Sequence, residues 1–219
     1  MVSVGASRIV NLDRPPRYKA LLIDLDGVLR HWPANDGVLE LAHGLPEGAL
    51  RTTAFRREPL NDVVTGRITD EIWREQVKTS LVQTYPQARV SDAVAAWSQP
   101  FGDIDHSVLR LVQRVREHLK IVLVTNGTSR LNRDLDALKL LSSLDFVVNS
   151  SVIGMAKPQP DFYRVALREA GVSADEALFV DDSASHVEAA TRLGIRSLQF
   201  TGHESLIAFL QGARVLDEI

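Results

Sequence analysis

Short apolar runs recur along this chain, and the stretches between them change period from two to nearly four. Tyr18 to Asp24, Lys120 to Thr125 (KIVLVT), Leu144 to Asn149 (LDFVVN), Ala177 to Asp181 (ALFVD) and Ile195 to Phe200 (IRSLQF) each have the length and composition of a buried strand. Val108, Leu111, Val112, Val115 and Leu119 follow helical spacing. Ser129 to Leu141, Pro160 to Ala170, Ala184 to Leu193 and His203 to Leu210 are further predicted helices, with Gly171 suited to the end of the second and Gly194 ending the third. Strands alternating with helices predict a parallel sheet covered on both faces, an α/β fold.

Between about Arg30 and Gly102 the pattern is helical throughout, with no convincing buried strand. Glu47 to Arg57 follows Pro46 and has high helix propensity. Thr69 is placed to cap a helix through Tyr85, with Trp73, Val77 and Leu81 on one face. Ser91 or Asp92 is placed to cap another carrying Val94 and Trp97. Helix alone, set between β-rich regions, predicts an insertion that packs as a small bundle. There is no internal repeat and no low-complexity segment.

Composition narrows the classes. A chain of 219 residues with 45% hydrophobic content has material for one good-sized domain or a domain with a modest insertion. No run approaches the roughly 18 apolar residues of a membrane span. Met1 to Arg17 is mixed, carries Pro15 and Pro16, and lacks an apolar signal core, so a cytoplasmic protein without a membrane partner is expected. With no cysteine there are no disulfides, thiolate nucleophiles or cysteine metal sites, and a net charge of −3 gives no reason to expect nucleic-acid binding.

Candidate chemistry sits at the ends of the predicted strands. Asp24 and Asp26 follow the first apolar run, two residues apart, and therefore project to one side of an extended chain. Like charges so close are costly unless a cation, a shared proton or a substrate compensates. An isolated Asp-Leu-Asp-Gly string is more often a plain turn, so its meaning depends on the rest of the chain. Thr125-Asn126-Gly127 offers a hydroxyl, an amide and a flexible backbone to an anion, or simply an Asn-Gly turn. Lys157 lies in a loop restricted by Pro158 and Pro160 and can neutralise an anion, although most loop lysines are solvated. Asp181-Asp182-Ser183 is a second carboxylate cluster, or a cap for the helix that follows. A doubly wound sheet gathers all these strand ends at one edge. Four carboxylates and one lysine would repel a phosphate ester without a divalent cation, and oxygen-only ligands suit Mg²⁺ better than Zn²⁺.

The four segments, in this order, resemble the four motifs of the haloacid dehalogenase superfamily: Asp24-Leu25-Asp26-Gly27-Val28, Thr125-Asn126-Gly127, Lys157-Pro158-Gln159-Pro160 and Asp181-Asp182-Ser183. The resemblance implies a Rossmann-like core from residues 1–29 and 103–219, and a helical cap of the first class over 30–102. It implies a Mg²⁺-dependent phosphohydrolase acting on a small phosphorylated metabolite as a monomer or homodimer. Asp24 would be the nucleophile that forms an aspartyl-phosphate, and Asp26 the acid and then base. Thr125 and the backbone at Asn126 would hold phosphoryl oxygens, and Lys157 would bridge Asp24 and the transferring group. Asp24, the Asp26 carbonyl and Asp181 would hold Mg²⁺, with Asp182 close by. The neighbouring readings are a phosphomutase, a dehalogenase, and a binding or regulatory protein on the same fold; dehalogenase relatives lack the second aspartate, which Asp26 supplies here. Two features depart from the pattern or lie outside it. His186 stands where relatives usually carry asparagine, and His31 and Trp32 either face substrate or pack at a hinge.

Overall fold

The computed structural model describes residues 17–216, so the N-terminal lead-in through Pro16 lies outside the described residues. The chain opens with strand β1 (Ala20–Ile23) and a two-residue strand β2 (Arg30–His31). Five helices follow: α1 (Asp36–Ala42), α2 (Ala49–Ala54), α3 (Arg57–Val64), α4 (Asp70–Thr84) and α5 (Val90–Trp97). Next come β3 (Asp103–Ile104), α6 (His106–Val115), β4 (Lys120–Thr125), α7 (Leu131–Ala137), β5 (Phe146–Asn149) and α8 (Ser150–Ile153). The chain closes with α9 (Pro160–Ala170), β6 (Ala177–Asp181), α10 (Ala184–Arg192), β7 (Arg196–Gln199) and α11 (His203–Gly212).

Five strands form one parallel sheet in the order β5-β4-β1-β6-β7. Alternation along each strand divides the core. Leu21, Ile23, Ile121, Leu123, Leu178 and Val180 pack beneath α6 and α11, meeting Val108, Val112, Leu206 and Leu210. Leu22, Val122, Val124 and Phe179 face the other way, against Phe162, Tyr163 and Ala166 of α9 and Ala189 and Ala190 of α10. The central strands are buried on both faces, which is why they read as continuous apolar runs. This is the Rossmann-like α/β architecture expected from the sequence.

Helices α1 to α5 have a hydrophobic core of their own, built on Leu45, Leu50, Val63, Trp73, Val77, Leu81 and Val90. Trp73, Val77 and Leu81 share one buried face of α4, and Thr69 caps it by accepting from the Ile72 N–H at 3.4 Å. Two expectations for this region need correction. The helix expected over Glu47 to Arg57 ends at Ala54, and Arg56 is extended (ψ 144°) before α3 begins. Pro59 accounts for the break, because proline is tolerated in the first turn of α3 but not inside one long helix. The α5 cap is Arg89 rather than Ser91 or Asp92. Its N–H bonds the His43 carbonyl at 2.9 Å and Val90 is buried in the bundle core, and this tertiary contact outweighs side-chain capping preference.

The bundle meets the rest of the fold at several points, two of them backbone to backbone. β2 and β3 pair antiparallel there, Arg30 with Ile104 and His31 with Asp103, a ladder too short to leave a periodic signal. A second contact brings α3 against α8: a Cβ at Gly66 (φ +70°) would lie 2.0 Å from the Ser151 carbonyl oxygen, so the two backbones touch.

Candidate active site

Register assembles the site. Ile23 is level with Leu123 on one side and Val180 on the other, so the next residue of β1, Asp24, sits beside the ends of β4 and β6. The chain leaves β1 for β4 and β5, then crosses back to β6, and a parallel sheet opens its crevice where its connections diverge in this way. Asp24, Thr125, Lys157 and Asp181 are all buried at this edge.

Lys157 is the node. Its ammonium lies 2.9 Å from Asp24 Oδ1, 2.6 Å from Asp181 Oδ2 and 3.0 Å from the Val124 carbonyl, which uses all three of its protons. Asp24 Oδ1 also accepts from the Leu25 N–H at 2.7 Å, leaving Oδ2 without a hydrogen-bond partner among the described residues. Burial drives the Asp24 carboxyl up to about 7, against the pull of Lys157, and the Asp181 charge pushes in the same direction as burial. Burial would raise Asp181 as well, but its hydrogen bond to His186 and the Lys157 charge outweigh that and hold it below the usual carboxylate range. Desolvation of Lys157 is overcome by its two carboxylates, which keep it above the ordinary lysine value.

Asp26 projects outward from the same strand end. Arg30 grips it with two bonds, Nε to Oδ1 at 2.7 Å and Nη2 to Oδ2 at 3.0 Å, and the Trp32 indole N–H donates to Oδ1 at 2.8 Å. Arg30 is buried, stacks 4.5 Å from the Trp32 ring centroid, and reaches Asp134 Oδ2 at 3.1 Å. Asp134 in turn takes Arg130 Nε at 2.6 Å, and Arg130 donates to the carbonyls of Ser98 and Pro100 at 2.6 and 2.5 Å. A chain of charges therefore runs from Asp26 to the segment that leaves the helical bundle. Sequence reasoning missed Arg30 because a lone arginine after a turn carries no motif. Of the two residues left open after it, Trp32 reaches the site, whereas His31 faces Asp105 at 3.5 Å.

Asn126 spends its side chain on the Lys157 loop, accepting from the Lys157 N–H at 2.8 Å and donating to the Lys157 carbonyl at 2.9 Å. What it can offer an anion is backbone. Asp181 is saturated: Oδ1 accepts from the Ser183 N–H at 2.9 Å and from His186 Nδ1 at 3.0 Å, while Oδ2 takes Lys157. An ionised carboxylate only accepts, so Nδ1 carries the proton. Asp182 differs, being exposed and free of ion pairs among the described residues, and burial with the Asp181 charge raises its pKa. Its Oδ2 stands 2.2 Å from where a Cβ on Gly27 (φ +81°) would be, so glycine there lets the first and last carboxylate clusters approach. Donor atoms of Asp24, Asp181 and His186 lie within 4.8 Å of one another, a cluster that could hold a metal ion only by giving up the hydrogen bonds just described. The carboxylates at this edge with oxygen left open are Asp24 and Asp182, and both are hard donors.

A doubly wound parallel sheet with a lysine-braced carboxylate pair at its ligand edge defines an α/β protein whose crevice carries the groups of a hydrolase site. A haloacid dehalogenase-like hydrolase family model matches residues 18–194. The chain belongs to that family. Phosphoglycolate phosphatase of Cupriavidus necator is 30% identical over 80% of this chain and 78% of its own length. The chain is also 27% identical to mouse acyl-CoA dehydrogenase family member 10 but spans only 19% of that protein. A HAD family enzyme of Bacteroides thetaiotaomicron, solved in complex with magnesium and inorganic phosphate, aligns with TM-score 0.66 at 22% identity over 83% of this chain and 93% of that one. L-2-haloacid dehalogenase of Xanthobacter autotrophicus aligns with TM-score 0.61 at 18% identity, covering 91% of this chain and 85% of that one. Among the described residues, no helix is long and apolar enough to cross a membrane.

Proposed function

We propose that this hydrolase is a Mg²⁺-dependent phosphatase that cleaves a small phosphorylated metabolite through an aspartyl-phosphate. The observation that carries the reading is the asymmetry of Asp24: Oδ1 is pinned by Lys157 and the Leu25 N–H, while Oδ2 is open at the ligand edge. Asp24 Oδ2 attacks phosphorus, the ester P–O bond breaks, and Asp26 gives its proton to the leaving alkoxide. Asp26 then takes a proton from the water that hydrolyses the acyl phosphate. Arg30 and Trp32 fix the orientation of Asp26 and leave one lone pair of Oδ2 for that proton.

The Thr125 hydroxyl and the Asn126 backbone receive the phosphoryl oxygens. Because all three Lys157 protons are already used, its main task is to orient Asp24 and balance the buried charge, and a phosphoryl oxygen has to share it. Asp24, the Asp26 carbonyl and Asp182 are the residues that would hold Mg²⁺, in place of the Asp181 expected from the sequence, whose oxygens are taken by Lys157, His186 and the Ser183 N–H. When bound, the cation offsets the carboxylates and supplies positive charge to the phosphoryl oxygens. Helices α1 to α5, spanning the insertion 30–102, serve as the cap that closes over the crevice. The fold is shared with dehalogenases, but a halide leaves without a proton, and a second carboxylate held at the leaving-group side fits ester cleavage.

The test is phosphate release from para-nitrophenyl phosphate with Mg²⁺ or with EDTA, beside Asp24→Asn. Turnover should require metal and vanish in the variant. Metal-independent turnover, or chloride release from 2-chloropropionate in place of phosphate release, would overturn the reading.

A further inference from the structure

A cavity of about 330 Å³ lies between the helical bundle and the sheet edge, and Asp26, Asn126 and Gly127 form part of its wall. All three tryptophans of the chain, Trp32, Trp73 and Trp97, line it together with Phe55, Leu39 and Leu60. Phe55, Trp73 and Trp97 follow one another in an aromatic row, edge-on and tilted, with ring centroids 6.3 and 5.5 Å apart and Trp73 buried at its centre. Trp32 and Phe55 are large aromatics left 47% and 51% exposed where burial would otherwise be favourable.

The charged groups deep in the cavity are already paired with one another. Asp70 holds Arg74 and accepts from the Thr128 hydroxyl, while Arg30 and Arg130 share Asp134. Arg74 also lies 4.7 Å from the Trp97 ring centroid. A hydroxyl-rich leaving group would find few free partners among these deep groups, whereas the half-exposed rings of Trp32 and Phe55, each with an arginine over it (Arg30 at 4.5 Å, Arg51 at 5.5 Å), still offer apolar surface to a flat ring. Position matters as much as composition. The Trp32 indole is hydrogen-bonded to Asp26, the carboxylate assigned to protonate the leaving oxygen, so the leaving group starts against that ring and extends toward the aromatic row.

We infer that the cavity takes the leaving group of the substrate and that this group carries an aromatic ring, so the natural substrates are phosphomonoesters of ring-bearing alcohols. The inference rests on the phosphatase reading given above. In the reaction the P–O bond to the ring-bearing alcohol breaks as the Asp24 Oδ2–P bond forms, and the alkoxide leaves with the Asp26 proton.

The test compares para-nitrobenzyl phosphate, its saturated counterpart cyclohexylmethyl phosphate, and phosphoglycolate, all esters of unactivated primary alcohols. The nitrobenzyl ester should show kcat/KM at least about tenfold above both others, as stacking on more than one ring provides. Phe55→Ala, an exposed position, should reduce that advantage through KM. Equal or faster turnover of phosphoglycolate or of the cyclohexyl ester overturns the inference while leaving the phosphatase reading intact. A separate arm needs no turnover: para-nitrobenzyl alcohol added to Asp24→Asn should quench tryptophan fluorescence saturably. Failure of every ester to turn over would count against the phosphatase reading; absence of quenching would count against the aromatic cavity.

Discussion

Replacing Asp24 by asparagine should abolish turnover and yet make the metal-free protein more heat-stable above neutral pH. Burial raises the Asp24 carboxyl from 3.8 to about 7, so ionising it costs more in the folded chain than in the unfolded one. A folded pKa above the unfolded value gives stability that is complete below about pH 4 and lost as pH rises through about 7. A shift of about three units at about 1.36 kcal/mol each sets a ceiling of about 4 kcal/mol. For a chain of this size that corresponds to at most about 8–16 °C in Tm, and we expect about half, because water and relaxation soften buried charges. Asparagine keeps the shape of the neutral carboxyl, and Lys157 retains Asp181 and the Val124 carbonyl. Calorimetric melts of both proteins in EDTA, from about pH 5 to about pH 9, measure the difference directly. The gain should already be roughly a third of its ceiling at about pH 5, grow up to about pH 7 and then level off. A variant that is less stable at high pH, or a gain that does not vary with pH, would refute the argument that Asp24 is held ionised at a cost.

The carboxylate beside it should behave with the opposite sign. Asp181 is held below the ordinary range, so its contribution is present above the unfolded pKa and is lost as pH falls through the folded one; Asp181→Asn should lower Tm at neutral pH, and the deficit should shrink in acid melts. Gly27→Ala meets both a positive φ and the Asp182 carboxylate, so calorimetric titration should show Mg²⁺ affinity weakened about tenfold or more, and unchanged affinity would count against Asp182 as a ligand. Arg30→Met leaves Asp134 and Asp26 short of a buried cation and should cost about 3–5 kcal/mol in urea melts, with kcat falling further than stability alone explains. Phe179→Ala, in the fully buried second face of the sheet, should cost about 3–5 kcal/mol with no change in the pH profile of whatever activity remains.

What the sequence determined by itself is the part written in local pattern. Runs such as KIVLVT and ALFVD are apolar because both faces of a central parallel strand are covered, so strand identity and the α/β class are readable without coordinates. Asp24, Asp26, Thr125, Lys157 and Asp181 were legible as candidates because packing does not ask for polar groups at the ends of such runs. Tertiary structure alone decided how they divide the work. Lys157 spends three protons on Asp24, Asp181 and a carbonyl, Asn126 turns its amide to a loop, and Asp182 is left exposed while Asp181 beside it is buried and saturated. Those outcomes depend on counts of donors and acceptors meeting across distant segments, which no spacing along the chain encodes. The same holds for the break before Arg57 and the burial of Val90, where packing overrode local preference. It holds most clearly for Arg30 and Trp32. Beside Asp26 they look like the residues after a turn; folded, they clasp its carboxylate and join it through Asp134 and Arg130 to the helical bundle, because a buried charge must find partners wherever the fold brings them.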